Sequence, residues 1–141
     1  MCRVFWDSML FIYLVEADAT FAPVVLDVLE RCASRGDTLY TSHLSVAETL
    51  VGLPQGEGKE YVFLETLHEL NFVFSDFNGD GVLSFRSLRR DFGLQQPDAL
   101  NLACAAAIGV DIYLTNDEHL LKKRLHVPGI QFIADFTKAP L

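Results

Sequence analysis

Four acidic residues, Asp7, Glu48, Asp98 and Asp117, stand where chemistry could be done in this 141-residue chain. Asp7-Ser8 closes the apolar run Val4-Phe5-Trp6, and Leu39-Tyr40-Thr41-Ser42 leads on to Glu48. Gln96-Pro97-Asp98-Ala99 opens an alanine-rich segment, and Ile112-Tyr113-Leu114-Thr115-Asn116 ends in Asp117. In an open α/β sheet, ligands bind beyond the carboxyl ends of the strands, so side chains placed there converge however far apart they lie in sequence. Four carboxylates gathered in one place raise one another's pKa and oppose folding unless a cation joins them. An all-oxygen donor set suits a hard ion, Mg²⁺ with Mn²⁺ as its substitute, shared with water and a substrate phosphate.

Taken singly, each acid has a local explanation. Asp7 and Asp117 follow strand-like runs and precede helix-like ones, where an N-cap carboxylate is worth about 0.5–2 kcal/mol. Asp98 stands behind Pro97 in a first helical turn, where the helix dipole favours it. Glu48 follows Ser45 at capping-box spacing. Their joint placement along one expected sheet edge is what points to a site.

The elements that would position them are legible in the pattern. Strand-like segments fall at 3–6, 39–41, 72–74, 112–114 and 130–133. A helix over 9–15 follows Asp7-Ser8, and a second over 21–34 carries Val25, Val28, Leu29 and Cys32 at helical spacing, with Gly36 as its stop. A third begins at Ser42 or Ser45 and runs to Val51; Pro54 to Gly58 is a loop. Further helices are expected at 59–70, 83–92, 97–107, where Ala99, Leu102, Ala103 and Ala106 make a small-residue face, and 118–124. Strands separated by helices imply a mainly parallel sheet with helices on both faces, a three-layer α/β/α fold. The length and the hydrophobic half of the composition suit a single domain over 1–141.

A net charge of −8 argues against a surface that grips nucleic acid by general electrostatics. It is compatible with an enzyme acting on phosphates whose acids surround a metal. Arg86, Arg89 and Arg90 are the candidates for local RNA contacts, with Lys122, Lys123 and Arg124 a second basic cluster that reads as helix C-terminal charge. Three cysteines without CxxC spacing fit a reducing, cytoplasmic setting and no zinc site. The apolar run 9–15 is far shorter than the roughly 20 residues of a membrane span.

Val4-Phe5-Trp6-Asp7-Ser8, Thr41 to Glu48, Leu94 to Ala103 and Leu114-Thr115-Asn116-Asp117, in that order, together resemble a PIN domain, and in size the VapC-type toxins of toxin–antitoxin pairs. The resemblance implies a metal-dependent ribonuclease with Asp7, Glu48, Asp98 and Asp117 as its acidic centre. Asp7 and Asp98 would be the principal metal ligands, completed by Asp117 and Glu48 directly or through water. Ser8, Thr115 and Asn116 match positions that shape the pocket through hydrogen bonds. It also implies Mg²⁺-activated attack on a phosphodiester, an RNA substrate, a cognate antitoxin and a homodimer. The alternative is a non-catalytic PIN-like domain that binds metal or serves as a scaffold.

Asp76-Phe77-Asn78-Gly79-Asp80-Gly81 copies the start of an EF-hand loop, but Ser87 stands where the bidentate Glu belongs, and Asx-turn chemistry explains the run without an ion. A haloacid-dehalogenase-type phosphatase would carry a second Asp at Met9. A response-regulator receiver would carry a Lys near Thr115. Neither pattern is met, and the four histidines have no metal-ligand spacing among themselves.

Overall fold

Val4, Phe5 and Trp6 are each fully buried, as a strand covered on both faces must be. The structure, a computed structural model, describes residues 1–139. The expected domain extent of 1–141 therefore runs two residues beyond those described. Strand β1 (Arg3–Trp6) pairs in parallel with β2 (Thr38–Thr41) on one side and β4 (Val110–Thr115) on the other. β3 (Val73–Phe74) extends the sheet beyond β2, and β5 (Ile130–Asp135) extends it beyond β4. The order is β3-β2-β1-β4-β5, parallel throughout. From β1 the chain builds outward to β2 and β3, then returns to β4 on the opposite side. That reversal opens a crevice at the carboxyl ends of β1 and β4, where open α/β sheets bind ligands.

Alternation along the strands gives the sheet two cores. Val4, Trp6, Ile112 and Leu114 pack with Leu10 and Phe11 of α1 (Ser8–Val15), Val25 and Val28 of α2 (Ala22–Arg35), Val46 of α3 (His43–Val51) and Phe63 of α4 (Lys59–Glu69). On the other face Phe5 and Tyr113 meet Leu88 of α5 (Val82–Arg90), Leu102 and Ala105 of α6 (Gln96–Ile108) and Leu120 of α7 (Glu118–Lys122). The expected three layers are therefore present. Trp6 and Phe11 lie against Phe72 with ring centroids 5.2 Å apart in edge-on geometry, and Phe11 meets Phe63 at 5.7 Å. Such pairs add about 0.5–1.5 kcal/mol each beyond their burial. On the opposite face, an added Cβ at Gly129 would meet the Ala106 carbonyl oxygen at 2.2 Å. Only glycine lets the loop before β5 lie this close to α6.

Element boundaries moved little. The last helix stops at Lys122 rather than at 124, because Arg124 takes a left-handed backbone conformation (φ 49°). The residues 79–81, expected as a turn, form a 3₁₀ turn capped by Asn78, whose side chain accepts from the Asp80 N–H. Cys32 and Cys104 are buried free thiols. Among the described residues no helix is long and apolar enough to cross a membrane.

Candidate metal centre

Asp7 is the first residue after β1 and the N-cap of α1: its Oδ1 accepts from the Ser8 N–H at 2.8 Å. Its own N–H reaches the Leu114 carbonyl at 3.1 Å, which locks it to the end of β4. Thr115, the last residue of β4, donates its hydroxyl to Asp7 Oδ2 at 2.9 Å and accepts the Asp117 N–H at 3.1 Å. One threonine thus ties together two acids 110 residues apart. Asp117 caps α7 through His119 N–H, and Asp98 lies in the first turn of α6 behind Pro97.

Glu48 has a different origin from the one its spacing implied. Ser42, not Ser45, is the N-cap of α3, and its hydroxyl accepts from the Ser45 N–H. The capping-box explanation is therefore lost, since Glu48 lies beyond the first turn. Its Oε1 is buried and, among the described residues, has no hydrogen-bond partner. A buried acceptor left in that state costs about 1–3 kcal/mol unless something supplies a positive group.

The charges of the four residues act on one another. Burial raises the Asp7 carboxyl against the pull of its Thr115 and Ser8 hydrogen bonds, and Asp117 raises it further. Burial raises Glu48, with Asp7 and Asp98 adding to it. Asp98 is pushed up to about 6, by burial first, then by Asp7 and Asp117, with partial relief from His119. Tyr113, buried on β4, is kept protonated by burial and then by Asp7, Asp98 and Glu48. The acids therefore share one electrostatic site. They are not closed upon a single point: among the described residues no three His, Cys, Asp or Glu side chains stand grouped as a metal-holding cluster. Asp7 directs both of its oxygens to internal donors. The oxygen donors, the orphaned Glu48 oxygen and the raised carboxyls fit a hard divalent cation.

The residues expected to shape the pocket separate. Ser8 and Thr115 both bond Asp7, whereas Asn116 turns to α1 and donates to the Tyr13 hydroxyl at 2.7 Å. Asn101, within the Leu94–Ala103 segment, has a role that the sequence alone does not assign. Only 2% exposed, it donates to Asp7 Oδ1 at 3.4 Å, and its Oδ1 accepts from the Ser42 and Ser45 hydroxyls. It links the start of α3 to the carboxylate after β1. Its spacing of three from Asp98, one helical turn on the same face, was the available signal.

Beside Asp98 and Asp117 opens a cavity of about 290 Å³ lined also by Gln95, His119 and Lys123. The basic trio is divided. Arg89 donates to the Leu94 carbonyl at 3.0 Å and holds the α5–α6 connection, while Arg86 and Arg90 line a separate exposed depression on α5. In the EF-hand-like run, Asp76 is engaged by His43 and Asn78 by the turn itself.

The PIN domain family model matches residues 4–124, a span that holds all four acids and both strands flanking the crevice. The chain belongs to the PIN domain family. Its fold is also that of a solved structure, the crystal structure of VapBC2 from Rickettsia felis bound to a DNA fragment from their promoter. The two superpose with a TM-score of 0.73 over 94% of this chain and 98% of the other, at 15% sequence identity. At that identity the likeness is one of fold. A comparison with curated protein sequences finds no match.

Proposed function

We propose that this PIN domain is a metal-dependent endoribonuclease, the toxin of a toxin–antitoxin pair. PIN domains are in general nucleases that use divalent metal ions. The observation that carries the reading is the buried, unpartnered Glu48 Oε1, set among carboxyls that raise one another's pKa. Asp7, Asp98 and Asp117, with Glu48, would hold Mg²⁺ or Mn²⁺, which supplies an activated water and neutralises charge on the scissile phosphate. Thr115, Ser8 and Asn101 hold the Asp7 carboxylate in one orientation, so that its position is set before substrate arrives. Asp98 must be ionised to bind a cation, so protons compete with the metal for it as pH falls toward about 6. Lys123, at the adjoining cavity, offers positive charge to an entering phosphate, and Arg86 and Arg90, at their own depression on α5, are candidates for further RNA contacts.

A cognate antitoxin partner, a homodimer, a cytoplasmic setting and a single domain over 1–141 belong to the same reading. The shared fold with VapBC2 supports the antitoxin partner; the homodimer, the cytoplasmic setting and the single domain rest on the sequence and its resemblance to VapC-type toxins. The test is cleavage of unstructured RNA by purified protein with and without Mg²⁺, alongside Asp7→Asn and Asp98→Asn. Metal-dependent cutting with 5′-phosphate products, lost in both variants, is expected. Equal cutting by parent and variants overturns the assignment. Mn²⁺ binding without any cutting at high enzyme excess supports the non-catalytic alternative instead.

A further inference from the structure

A second constellation lies on the same sheet edge. His43, the first residue of α3, gives its backbone N–H to Asp76 Oδ1 at 3.0 Å, and its Nδ1 lies 2.7 Å from Asp76 Oδ2. Burial pulls the Asp76 carboxyl upward, but these His43 bonds and the His43 charge together outweigh it and hold the carboxyl below its ordinary value. The imidazole stacks on Phe74, with centroids 4.3 Å apart and planes within 11°. Although fixed on two sides, the His43 side chain is 64% exposed, and Phe74 is 37% exposed. A flat ring pair held in place yet left open to solvent adds little to the core. It is already ordered for contact with another flat group.

Topology sets its distance from the acids. His43 and Asp76 follow β2 and β3 as Asp7 follows β1, and adjacent strands lie about 4.8 Å apart. The ring pair therefore sits roughly 5–10 Å along the carboxyl edge from the strand that carries Asp7. Ser42, beside His43, connects to Asp7 through Asn101, so both places share one rigid frame. Stacking on an aromatic surface needs no positive charge and accepts any base. It suits a chain whose net charge of −8 gives phosphates little general attraction.

We propose that His43 and Phe74 form a stacking platform for an unpaired RNA base flanking the phosphate cut at the acidic centre. The proposal rests on the nuclease reading and adds to it a base-binding subsite outside the acidic centre. With Nδ1 turned to Asp76, Nε2 is the ring atom left to hydrogen-bond the base.

Fluorescence anisotropy with a short labelled single-stranded oligoadenosine, in chelator so that no cleavage enters, tests it on the intact chain. His43→Ala and Phe74→Ala should each weaken binding about 5- to 100-fold. His43→Phe, which keeps a ring on Phe74, should stay within a few-fold of the parent. Thermal unfolding of each variant checks the fold; both replaced rings are substantially exposed. Unchanged affinity in the alanine variants overturns the platform. So does a shift from dimer to monomer in sedimentation with RNA affinity intact, which would make this face a self-association surface. If the parent cleaves RNA but the variants bind as it does, the platform alone fails. If the parent neither binds nor cleaves RNA, the nuclease reading fails and the platform with it.

Discussion

Replacing Asp98 with Asn should make the metal-free protein more stable at neutral pH, although it removes a residue the proposed activity needs. The carboxyl of Asp98 is pushed from an ordinary 3.8 to about 6. One pH unit of displacement corresponds to ~1.36 kcal/mol, so the ionised form would cost about 3 kcal/mol if fully shielded. The side chain is half-buried, and solvent screening reduces that to roughly 1.5 kcal/mol. Between about pH 4 and 6 the native state binds more protons than the unfolded chain, so stability falls as pH rises through this window. The cost is fully present above pH 6 and absent below about 4. Asp98→Asn should therefore raise Tm in chelator by about 5 °C at pH 7.5 and leave it unchanged near pH 4. Differential scanning calorimetry at the two pH values measures both. Added Mg²⁺ should raise the parent's Tm and leave the variant's nearly unmoved. A variant that is less stable than the parent at pH 7.5, or equally stabilised at both pH values, would refute the electrostatic account of the site.

Three further outcomes follow from the same geometry. Asn101→Ala leaves the Ser42 and Ser45 hydroxyls and one Asp7 oxygen short of a partner; a loss of about 1–3 kcal/mol in denaturant unfolding is expected, with slower RNA cleavage. Mn²⁺ affinity by calorimetry should fall at least several-fold from pH 7.5 to pH 5, because Asp98 takes up a proton across about pH 6 and Asp7 and Glu48 are raised as well; a flat profile would separate these carboxyls from the metal. Gly129→Ala combines a φ of +97° with a Cβ at 2.2 Å from the Ala106 carbonyl oxygen, and a loss of roughly 3 kcal/mol or more is expected in thermal unfolding.

The architecture was legible because β1 and β4 are buried on both faces and read as continuous apolar runs, while helical spacing marked α2 and α6 and Gly36 marked the end of α2. Asp7, Asp98 and Asp117 stand at strand ends or first helical turns, so their placement along one edge followed from order alone. Other parts depend on three-dimensional neighbours. Ser42 and Ser45 both offer a hydroxyl at the start of α3, and only the extended backbone of Ser42 makes it the cap, which removes the local explanation for Glu48. The role of Asn101 is not legible within its small-residue segment, since its partners come from the start of α3 and from the residue after β1. The His43–Asp76 pair spans 33 residues and requires knowing that β2 and β3 are adjacent. In sequence, Asp76 belonged instead to a calcium-like run. The basic trio looked uniform, but Arg89 faces the α5–α6 connection while Arg86 and Arg90 face solvent.

Anomalous diffraction from crystals grown with Mn²⁺ tests the central claim most directly. The account predicts a manganese peak bound by Asp7 and Asp98, with Asp117 and the now-partnered Glu48 oxygen directly or through water around it. No peak among these four carboxylates at saturating Mn²⁺, or one only at the Asp76–Asp80 loop, would contradict it.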